Sequence, residues 1–441
     1  AYYQRGLLWL EVGRLKEASA DFNKAESLGL ESALMTNIQA KAMKYYEEGT
    51  AAIKQNDFAK ARKALDNAVT LRPRYADAWF AQAQTWEKQG NYKKAVELYG
   101  RALQANDKYH EGYYARGMAR LRLNETEDAL RDFGTAVDLE PTYIDGVKGR
   151  GNAYIAMKKH PEAKEDLTKA INLALPLLAQ AQKEKKEDKN KIQTFKNQLA
   201  ELYSLLAYAR LLSGEGSAAQ ADLKKAFDYS ENYSDAYRYR GLAHQQEGDH
   251  KKANGDFDEA IKRDARNYPA YRDRAVSHIA LGRFGDAMND LNLVVRADSQ
   301  GVASDALLVR GIANARQRKY NEAIQDMQSF ERKFPKAADA RYYTELGMVR
   351  LDMGNAAEAV KQLENALKLD NTYAPAQYAL ACTYAQQSQW ENALAWLETA
   401  FKSGRISRDQ VKADEDRYLR GLKDNKDHRR KYESLKKSYL K

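Results

Sequence analysis

Cysteine and proline are scarce in this sequence of 441 residues, and long apolar runs are missing. The single cysteine, Cys382, excludes a disulfide within the chain. Only seven prolines interrupt it, and alanine, leucine, glutamate and lysine outnumber the β-branched residues, which is typical of helices. No run reaches the roughly eighteen apolar residues of a membrane-spanning helix. The sequence therefore predicts an all-α protein without a transmembrane segment.

Motifs for chemistry are missing too. The six histidines are scattered, with no HExxH and no Cys/His cluster, so we expect no metal. The stretch SGEGSAAQAD contains G-x-G-x-x-A but follows no strand, and DGVKGRGN lacks the Lys-Ser/Thr of a phosphate-binding loop. We therefore expect no catalytic residue and no cofactor, and interpret the chain as a non-enzyme.

Positive charge is confined to two segments. The net charge is +10, but residues 402–441 carry 14 Lys and Arg against 7 Asp and Glu, and residues 183–196 carry 6 against 3. The remainder of the chain is neutral. A basic surface for nucleic acid would thus be restricted to these two segments, which does not favour nucleic acid as the partner.

A pattern of small residues recurs at intervals that are mostly 34 residues long. Each alanine in the pattern follows a Gly or Ala by twelve residues, follows a turn residue by five, and precedes a large apolar side chain by four. This spacing predicts two antiparallel helices, A and B, whose small residues allow close packing and whose neighbours must stack to bury an apolar face. The alanines are Ala18, Ala61, Ala95, Ala129, Ala163, Ala219, Ala253, Ala287, Ala323, Ala359 and Ala393.

Stretches such as WFAQAQTWEKQGNYKKAVELYGRALQANDKY and YYARGMARLRLNETEDALRDFGTAVDLEP resemble the tetratricopeptide repeat family. The resemblance covers roughly residues 1–401 in eleven units, the first of them truncated. It implies an α-solenoid of about eleven helix-turn-helix repeats forming a right-handed superhelix. It also implies a non-catalytic role in protein–protein interaction.

An arginine and an aspartate sixteen residues apart accompany many of the repeats. Each lies eight positions from the turn, so the two should meet between helices A and B of one repeat. Because both are absent together in four repeats, and only Leu206 faces an unmatched Asp222, we interpret them as largely buried structural ion pairs. The pairs are Arg5/Asp21, Arg116/Asp132, Arg150/Asp166, Arg240/Asp256, Arg274/Asp290 and Arg310/Asp326.

Four segments are predicted from the spacing. Residues 1–175 form an N-terminal array of five repeats, 176–199 a charged helical insertion, 200–401 a second array of six repeats, and 402–441 a basic cap or tail. The insertion is either a solvated protrusion or a docking element for a partner. The last segment resembles the closing segment of bacterial members of the family, and it should cover the end of the array with Tyr418, Leu419 and Leu422.

The resemblance also implies a partner-binding inner surface lined by the A helices. The corresponding residues are Tyr46, Phe80, Tyr114, Met118, Lys148, Asn152, Tyr208, Arg238, Arg272, Leu308, Ile312, Met348 and Tyr378. Lys148 and Asn152 match the first part of the carboxylate clamp of co-chaperones. Leu205, Asp235 and Tyr239 depart from the rest of that clamp.

The leading functional hypothesis is a scaffold or adaptor in a multi-protein complex, binding other proteins or extended peptides, with a bacterial cell-envelope or secretion assembly as its suggested setting. A co-chaperone-like peptide receptor is one alternative. An adaptor that reaches nucleic acid or membrane through the basic tail is another, since any membrane contact would be indirect or through that tail. We infer a periplasmic or envelope-associated location, with the cytoplasm as the alternative. The opening stretch AYYQRGLLWL lacks an initiator methionine, which suggests a piece of a longer or processed chain.

Overall fold

The computed structural model describes residues 1–28, 36–184, 188–297 and 303–440. They form two compact units, Ala1–Ala243 (unit 1) and His244–Lys441 (unit 2). The described residues are almost entirely helical and include no strand, which confirms the all-α prediction. None of the described helices is both long and apolar enough to cross a bilayer.

Unit 1 consists of helical hairpins in which odd-numbered helices are A helices and even-numbered helices are B helices. Its helices are α1 (Tyr2–Glu11), α2 (Leu15–Ser27), α3 (Thr36–Lys54), α4 (Phe58–Leu71), α5 (Ala76–Lys88), α6 (Tyr92–Ala105), α7 (His110–Arg122), α8 (Thr126–Leu139), α9 (Ile144–Ala156), α10 (His160–Lys183), α11 (Lys189–Leu212), α12 (Gly216–Tyr229) and α13 (Ser234–Gln246), in which the division between the units falls. The sequence predicts an over-long A helix at residues 31–55; α3 has 19 residues, and residues 31–35 lie outside the described ranges.

Unit 2 continues the same alternation and ends with a closing segment of three helices. Its helices are α14 (His250–Arg263), α15 (Tyr268–Ala280), α16 (Phe284–Ala297), α17 (Ala303–Arg316), α18 (Tyr320–Lys333), α19 (Ala340–Asp352), α20 (Ala356–Leu369), α21 (Ala374–Gln386), α22 (Trp390–Lys402), α23 (Arg408–Glu415), α24 (Arg420–Asp424) and α25 (Arg429–Tyr439), with a short 3-10 turn at Pro335–Ala337.

Small residues let the helices of a repeat pack closely around one large side chain. In the hairpin of α7 and α8, Phe133 is fully buried. A Cβ atom placed on Gly117 would lie 2.8 Å from the Phe133 ring, and one placed on Gly149 of the next A helix would lie 2.7 Å from it. One ring therefore fills the space between two successive A helices, which explains why small residues recur there.

Among the described residues, a left-handed turn residue follows each of the A helices. Gly occupies it in six and Asn in two, as the sequence suggests, with φ near +58° at Asn124 and +76° at Gly90. Lys158, Arg318 and Ser388 adopt the same conformation, with φ between +58° and +61°. Packing of the two helices imposes this conformation even where the side chain disfavours it.

The inserted residues lengthen one hairpin. Helices α10 and α11 have 24 residues each, against 13 or 14 in most other repeats. Leu178 and Ala181 of α10 are buried, and Ile192 and Phe195 of α11 pack against the same apolar cluster. The Asp188 side chain caps α11 by accepting hydrogen bonds from the backbone N–H groups of residues 190 and 191. Residues 185–187 lie outside the described ranges.

The closing segment packs against the last hairpin of unit 2. Leu419 and Leu422 are fully buried and Tyr418 is nearly so, in one cluster with Leu397 and Phe401 of α22. These apolar contacts cover a face that a further repeat would otherwise cover.

Candidate functional site: the A-helix face

A ladder of aromatic pairs runs along the A helices α3, α5 and α7 of unit 1. In three successive repeats an aromatic ring of helix A packs on the tyrosine that ends the same repeat. The pairs are Tyr46–Tyr75, Phe80–Tyr109 and Tyr114–Tyr143, with ring centroids 5.3, 5.2 and 5.5 Å apart. Tyr46, Phe80 and Tyr114 are partly exposed, so this aromatic ladder offers apolar surface to a ligand.

Carboxylates flank the aromatic ladder at the same period. Asp77, Glu111 and Asp145 each lie two residues after a tyrosine of the ladder. Burial raises the pKa of Tyr109, and the nearby carboxylates of Asp77 and Glu111 raise it further. Burial and Asp145 act in the same way on the pKa of Tyr143. The surface thus combines aromatic rings with negative charge.

At the end of the ladder, Lys148 replaces the aromatic residue and contacts two carboxylates. Its Nζ lies 3.0 Å from Glu201 Oε2 and 3.1 Å from Asp145 Oδ1. Burial lowers the pKa of Lys148, but Glu201 and Asp145 outweigh burial and hold the pKa above its usual value. The three side chains line a cavity of about 600 Å³ between α9, α11 and the loop after α12. We call it the insertion cavity, because Phe195 and other residues of the insertion form one wall.

The remaining residues that the sequence assigns to this surface in unit 1 differ in exposure. Met118, Asn152 and Tyr208 are partly exposed, whereas Arg238 is 8% exposed. The Tyr208 ring stacks on Tyr239 at 4.6 Å, and the Arg238 guanidinium lies over both rings. Arg238 therefore contributes to packing in this structure.

In unit 2 the closing segment covers part of the A-helix face. The Tyr378 hydroxyl donates to Asp414 Oδ2 at 3.2 Å, and Tyr378 is 3% exposed. The Tyr418 hydroxyl donates to Asp352 Oδ1 at 2.6 Å. Ile312, Met348 and Tyr378 line a cavity of about 540 Å³ that the closing segment partly encloses.

Two further residues that the sequence assigns to this face in unit 2 have local partners. Leu308 is 4% exposed and packs in an apolar cluster. The Arg272 guanidinium contacts Asp305 at 2.6 Å and Asp273 at 2.7 Å. Neither presents a free functional group to a ligand in this structure.

The structure brings together five of the six Arg–Asp pairs that the sequence suggests. Each arginine donates two hydrogen bonds to its aspartate, at N–O distances of 2.5 to 2.9 Å. These pairs are Arg5–Asp21, Arg116–Asp132, Arg150–Asp166, Arg274–Asp290 and Arg310–Asp326. Arg240 and Asp256 belong to different units, and their pairing stays a prediction.

A second donor, one helical turn further along helix A, reaches the same aspartate in several repeats. Arg120 contacts Asp132 at 2.6 Å, Arg210 contacts Asp222 at 2.6 Å, and Asn314 donates to Asp326 at 3.1 Å. Sequence reasoning on the sixteen-residue spacing missed this donor and left Asp222 opposite Leu206. A search at a spacing of twelve would have found it.

The residues that the structure describes contain no group of three or more His, Cys, Asp or Glu side chains able to hold a metal ion. Cys382 is fully buried, and burial raises the pKa of its thiol. A buried, protonated thiol is a poor nucleophile.

Comparison with known proteins identifies the repeat. Four family models described as tetratricopeptide repeat match residues 46–110 and 240–302, 350–406, 305–337, and 149–175. Together these matches span more than half of the chain. No curated protein sequence matched the chain significantly.

Several solved structures are similar in fold, at low sequence identity. The Cut9–Hcn1 hetero-tetramer of the APC/C has a TM-score of 0.45 and 15% identity, covering 92% of this chain and 95% of that chain. Yeast Tom70 has a TM-score of 0.38 and 16% identity, covering 89% and 99%. A tetratricopeptide repeat protein from Parabacteroides merdae ATCC 43184 has a TM-score of 0.38 and 17% identity, covering 70% and 99%. Similarity at this level does not identify a partner.

Proposed function

The chain belongs to the tetratricopeptide repeat family, and from this membership we propose that it is a non-catalytic scaffold that binds segments of partner proteins on its A-helix face. Chains of this family generally bind peptides and other proteins. The observation that best supports this site is the aromatic ladder of unit 1, since partly exposed rings at a constant spacing suit an elongated ligand.

The residues of this proposed surface in unit 1 are the ladder side chains together with Met118, Lys148, Asn152 and Tyr208. Aromatic rings supply contact area with little conformational entropy to lose, and the flanking carboxylates supply polar contacts. In unit 2 the proposed lining residues Ile312 and Met348 border a cavity, whereas Tyr378 is covered by the closing segment. Unit 1 is therefore the better candidate for binding.

Selection from a library of random 12-residue peptides displayed on phage, with the full chain as bait, tests the proposal. We expect peptides that bind the chain and lose at least about tenfold in affinity when Tyr114 is replaced by serine, because the ring is a central contact. Tyr113→Ser is the matched control on the same helix, since Tyr113 lies outside the ladder and its ring contacts Arg116. Absence of binding peptides, or equal losses in both variants, would refute this surface.

A co-chaperone-like receptor for C-terminal carboxylates is the first alternative. In such a clamp the lysine must be free to bind a carboxylate. The Lys148 side chain is instead 13% exposed, and its ammonium group already contacts Glu201 and Asp145. This arrangement favours the scaffold over the clamp, and binding of a peptide that depends on its free C-terminus would reverse that preference.

An adaptor acting through the basic tail is the second alternative. Arg429, Arg430 and Lys431 at the start of α25 are all exposed, which gives this alternative a specific surface. Deleting residues 402–441 would uncover the core of α22, so replacing these three residues with glutamine is a cleaner test. Retained partner binding by this variant, including at high salt, would exclude the tail as the interaction surface.

The biological setting stays a hypothesis. A place in a bacterial cell-envelope or secretion assembly rests on the resemblance of the closing segment to those of bacterial family members. Fractionation of the native organism followed by affinity purification and mass spectrometry would test the setting and the location together. Recovery with cytoplasmic proteins alone would argue against an envelope complex.

A further inference from the structure

The insertion cavity has three walls from different parts of unit 1. Helix α9 contributes Lys148 and Asp145, and the loop after α12 contributes Tyr233. The third wall is the first half of α11, which includes Phe195, and Glu201 lies just beyond it. Without the inserted residues, α11 would be too short to carry Phe195 at this place. The insertion thus turns an open part of the A-helix face into a cavity of about 600 Å³.

The charges in the cavity are unequal in number and in exposure. Two carboxylates, Glu201 and Asp145, share one ammonium group, which leaves one net negative charge among the three. The Glu201 and Asp145 side chains are 31% and 42% exposed, whereas the Lys148 side chain is 13% exposed. A ligand entering the cavity therefore meets the carboxylates first, and the ammonium lies behind them.

One further cation nearby does not reverse this balance. Arg238 is 8% exposed, its guanidinium lies over the Tyr208 and Tyr239 rings, and it approaches Asp235 to 4.0 Å. It is therefore engaged in packing and accompanied by a carboxylate of its own. The exposed charge of the cavity stays negative.

We propose that the insertion cavity receives an arginine side chain of a partner segment that lies along the aromatic ladder. The proposal rests on the peptide-binding function proposed above and specifies its partner as a cationic one. A guanidinium group donates to two carboxylate groups at once and packs flat against aromatic rings, here those of Phe195 and Tyr233. The aromatic ladder, with Asp77 and Glu111 beside it, holds the residues of the partner that precede or follow this arginine.

Peptides selected from the random 12-residue library by the full chain provide the probes. Each arginine in a selected peptide is replaced in turn by citrulline, which keeps the shape and removes the charge. We expect one arginine per peptide whose replacement weakens binding roughly tenfold or more, as the loss of a charge-assisted pair predicts. For the Glu201→Gln variant of the protein, the affinities of the arginine and citrulline peptides should differ by less than about threefold.

Two further variants distinguish a cationic ligand from an anionic one. Lys148→Gln removes the competing ammonium, so arginine peptides should bind several-fold more tightly, whereas a ligand carboxylate held by Lys148 would be lost. Glu215→Gln is the matched control: Glu215 is also a partly exposed carboxylate paired with a lysine, Lys164, but it borders a different cavity. It should leave the affinity of every peptide unchanged, and thermal melting of all variants checks their folding.

The outcomes separate the two proposals. If no selected peptide binds, the proposed function fails and the arginine cavity fails with it. If peptides bind and depend on Tyr114, but not on an arginine or on Glu201, the function stands and the arginine cavity is wrong. If Lys148→Gln abolishes binding, the cavity takes an acidic group, and our assignment of the partner is overturned.

Discussion

Buried aspartates of the B helices, such as Asp132 and Asp166, each accept two or more side-chain hydrogen bonds from the facing A helix. Asp132 accepts hydrogen bonds from both Arg116 and Arg120, and Asp166 accepts two from Arg150. A carboxylate so placed satisfies donors of the facing helix that would otherwise be buried without partners. The aspartate is therefore the member of each pair whose loss matters most.

Replacing Asp166 by alanine should destabilise the protein more than removing the whole pair. Asp166→Ala leaves the Arg150 guanidinium, whose side chain is 23% exposed, without its partner. Because that group keeps some solvent, we expect a loss of about 2–3 kcal/mol in the free energy of unfolding, and under about 1 kcal/mol for Arg150→Leu/Asp166→Leu. Urea denaturation measures both, and a larger loss in the double variant would contradict the prediction.

The second donor makes a further distinction. Asp132→Ala leaves two arginines, Arg116 and Arg120, without their shared acceptor, so it should cost more than Asp166→Ala. Relative to Asp132→Ala, the Arg116→Leu/Asp132→Leu double change should restore only part of the lost free energy of unfolding, because Arg120 still lacks its acceptor. Relative to Asp166→Ala, the Arg150→Leu/Asp166→Leu double change should restore more. If urea denaturation shows that both double changes restore the same free energy of unfolding, the contact of Arg120 with Asp132 does not contribute to stability.

At the scale of single elements, the turns between helices A and B carry strain in some repeats. Lys158, Arg318 and Ser388 hold the left-handed conformation, which glycine adopts in six other hairpins. The Lys158 side chain is exposed, so nothing compensates for the strain through packing. These turns are places where the stability of the chain can be improved.

Lys158→Gly should stabilise the protein. Relief of left-handed strain at φ +59° is worth about 1 kcal/mol, partly offset by the greater freedom of glycine in the unfolded chain. Ala156→Gly, at the last residue of α9, is the control and should not stabilise. Thermal melting measures the change in melting temperature that each variant causes. A lower melting temperature for Lys158→Gly than for the unchanged protein would show that the turn is unstrained.

The closing segment should hold the last hairpin in place. Leu419 is fully buried, and Leu419→Ala should cost about 2–5 kcal/mol through lost contacts and the cavity left behind. Because repeats are stabilised by their neighbours, amide hydrogen exchange should accelerate in α21 and α22 before it does in unit 1. Arg420→Ala, at the exposed neighbouring residue, is the control and should leave the exchange rates unchanged. If Leu419→Ala accelerates exchange equally in both units, the closing segment does not act locally on the last hairpin.

At the scale of the whole molecule, buried tyrosines make stability sensitive to high pH. Burial raises the pKa of Tyr99, Tyr342 and Tyr378 above the usual value of about 10. The folded chain keeps these protons at a pH at which the unfolded chain loses them. Stability is therefore fully present below about pH 10 and falls as the pH rises above it.

Alkaline unfolding should be cooperative. We expect helical circular dichroism to be lost over the same pH range in which the buried tyrosines ionise, as followed by tyrosinate absorbance. Tyr99→Phe removes one such group, together with its hydrogen bond to Glu87, so stability should decline less steeply above pH 10. Ionisation of all tyrosines near pH 10 with the helices intact would mean that the rings are accessible to solvent.

The local features of this protein were determined by sequence alone, because they depend on spacings within one hairpin. Three such features join the two helices of a hairpin. They are the glycine at the turn, the small residues at equal distance from it, and the aspartate sixteen residues after an arginine. The all-α fold and the family follow from them and are confirmed. Turn conformations at Lys158, Arg318 and Ser388 could not be anticipated from residue type, because helix packing imposes them.

Only the tertiary structure decided which distant side chains meet. Lys148 contacts Glu201, 53 residues away, because two long helices place α11 beside α9. Tyr418 reaches Asp352 across 66 residues because the closing segment folds over the A helices of unit 2. Such contacts depend on how successive hairpins stack and on where each side chain can extend. A repeat pattern specifies the stacking of neighbours, but not the partners that an insertion or a closing segment brings to them.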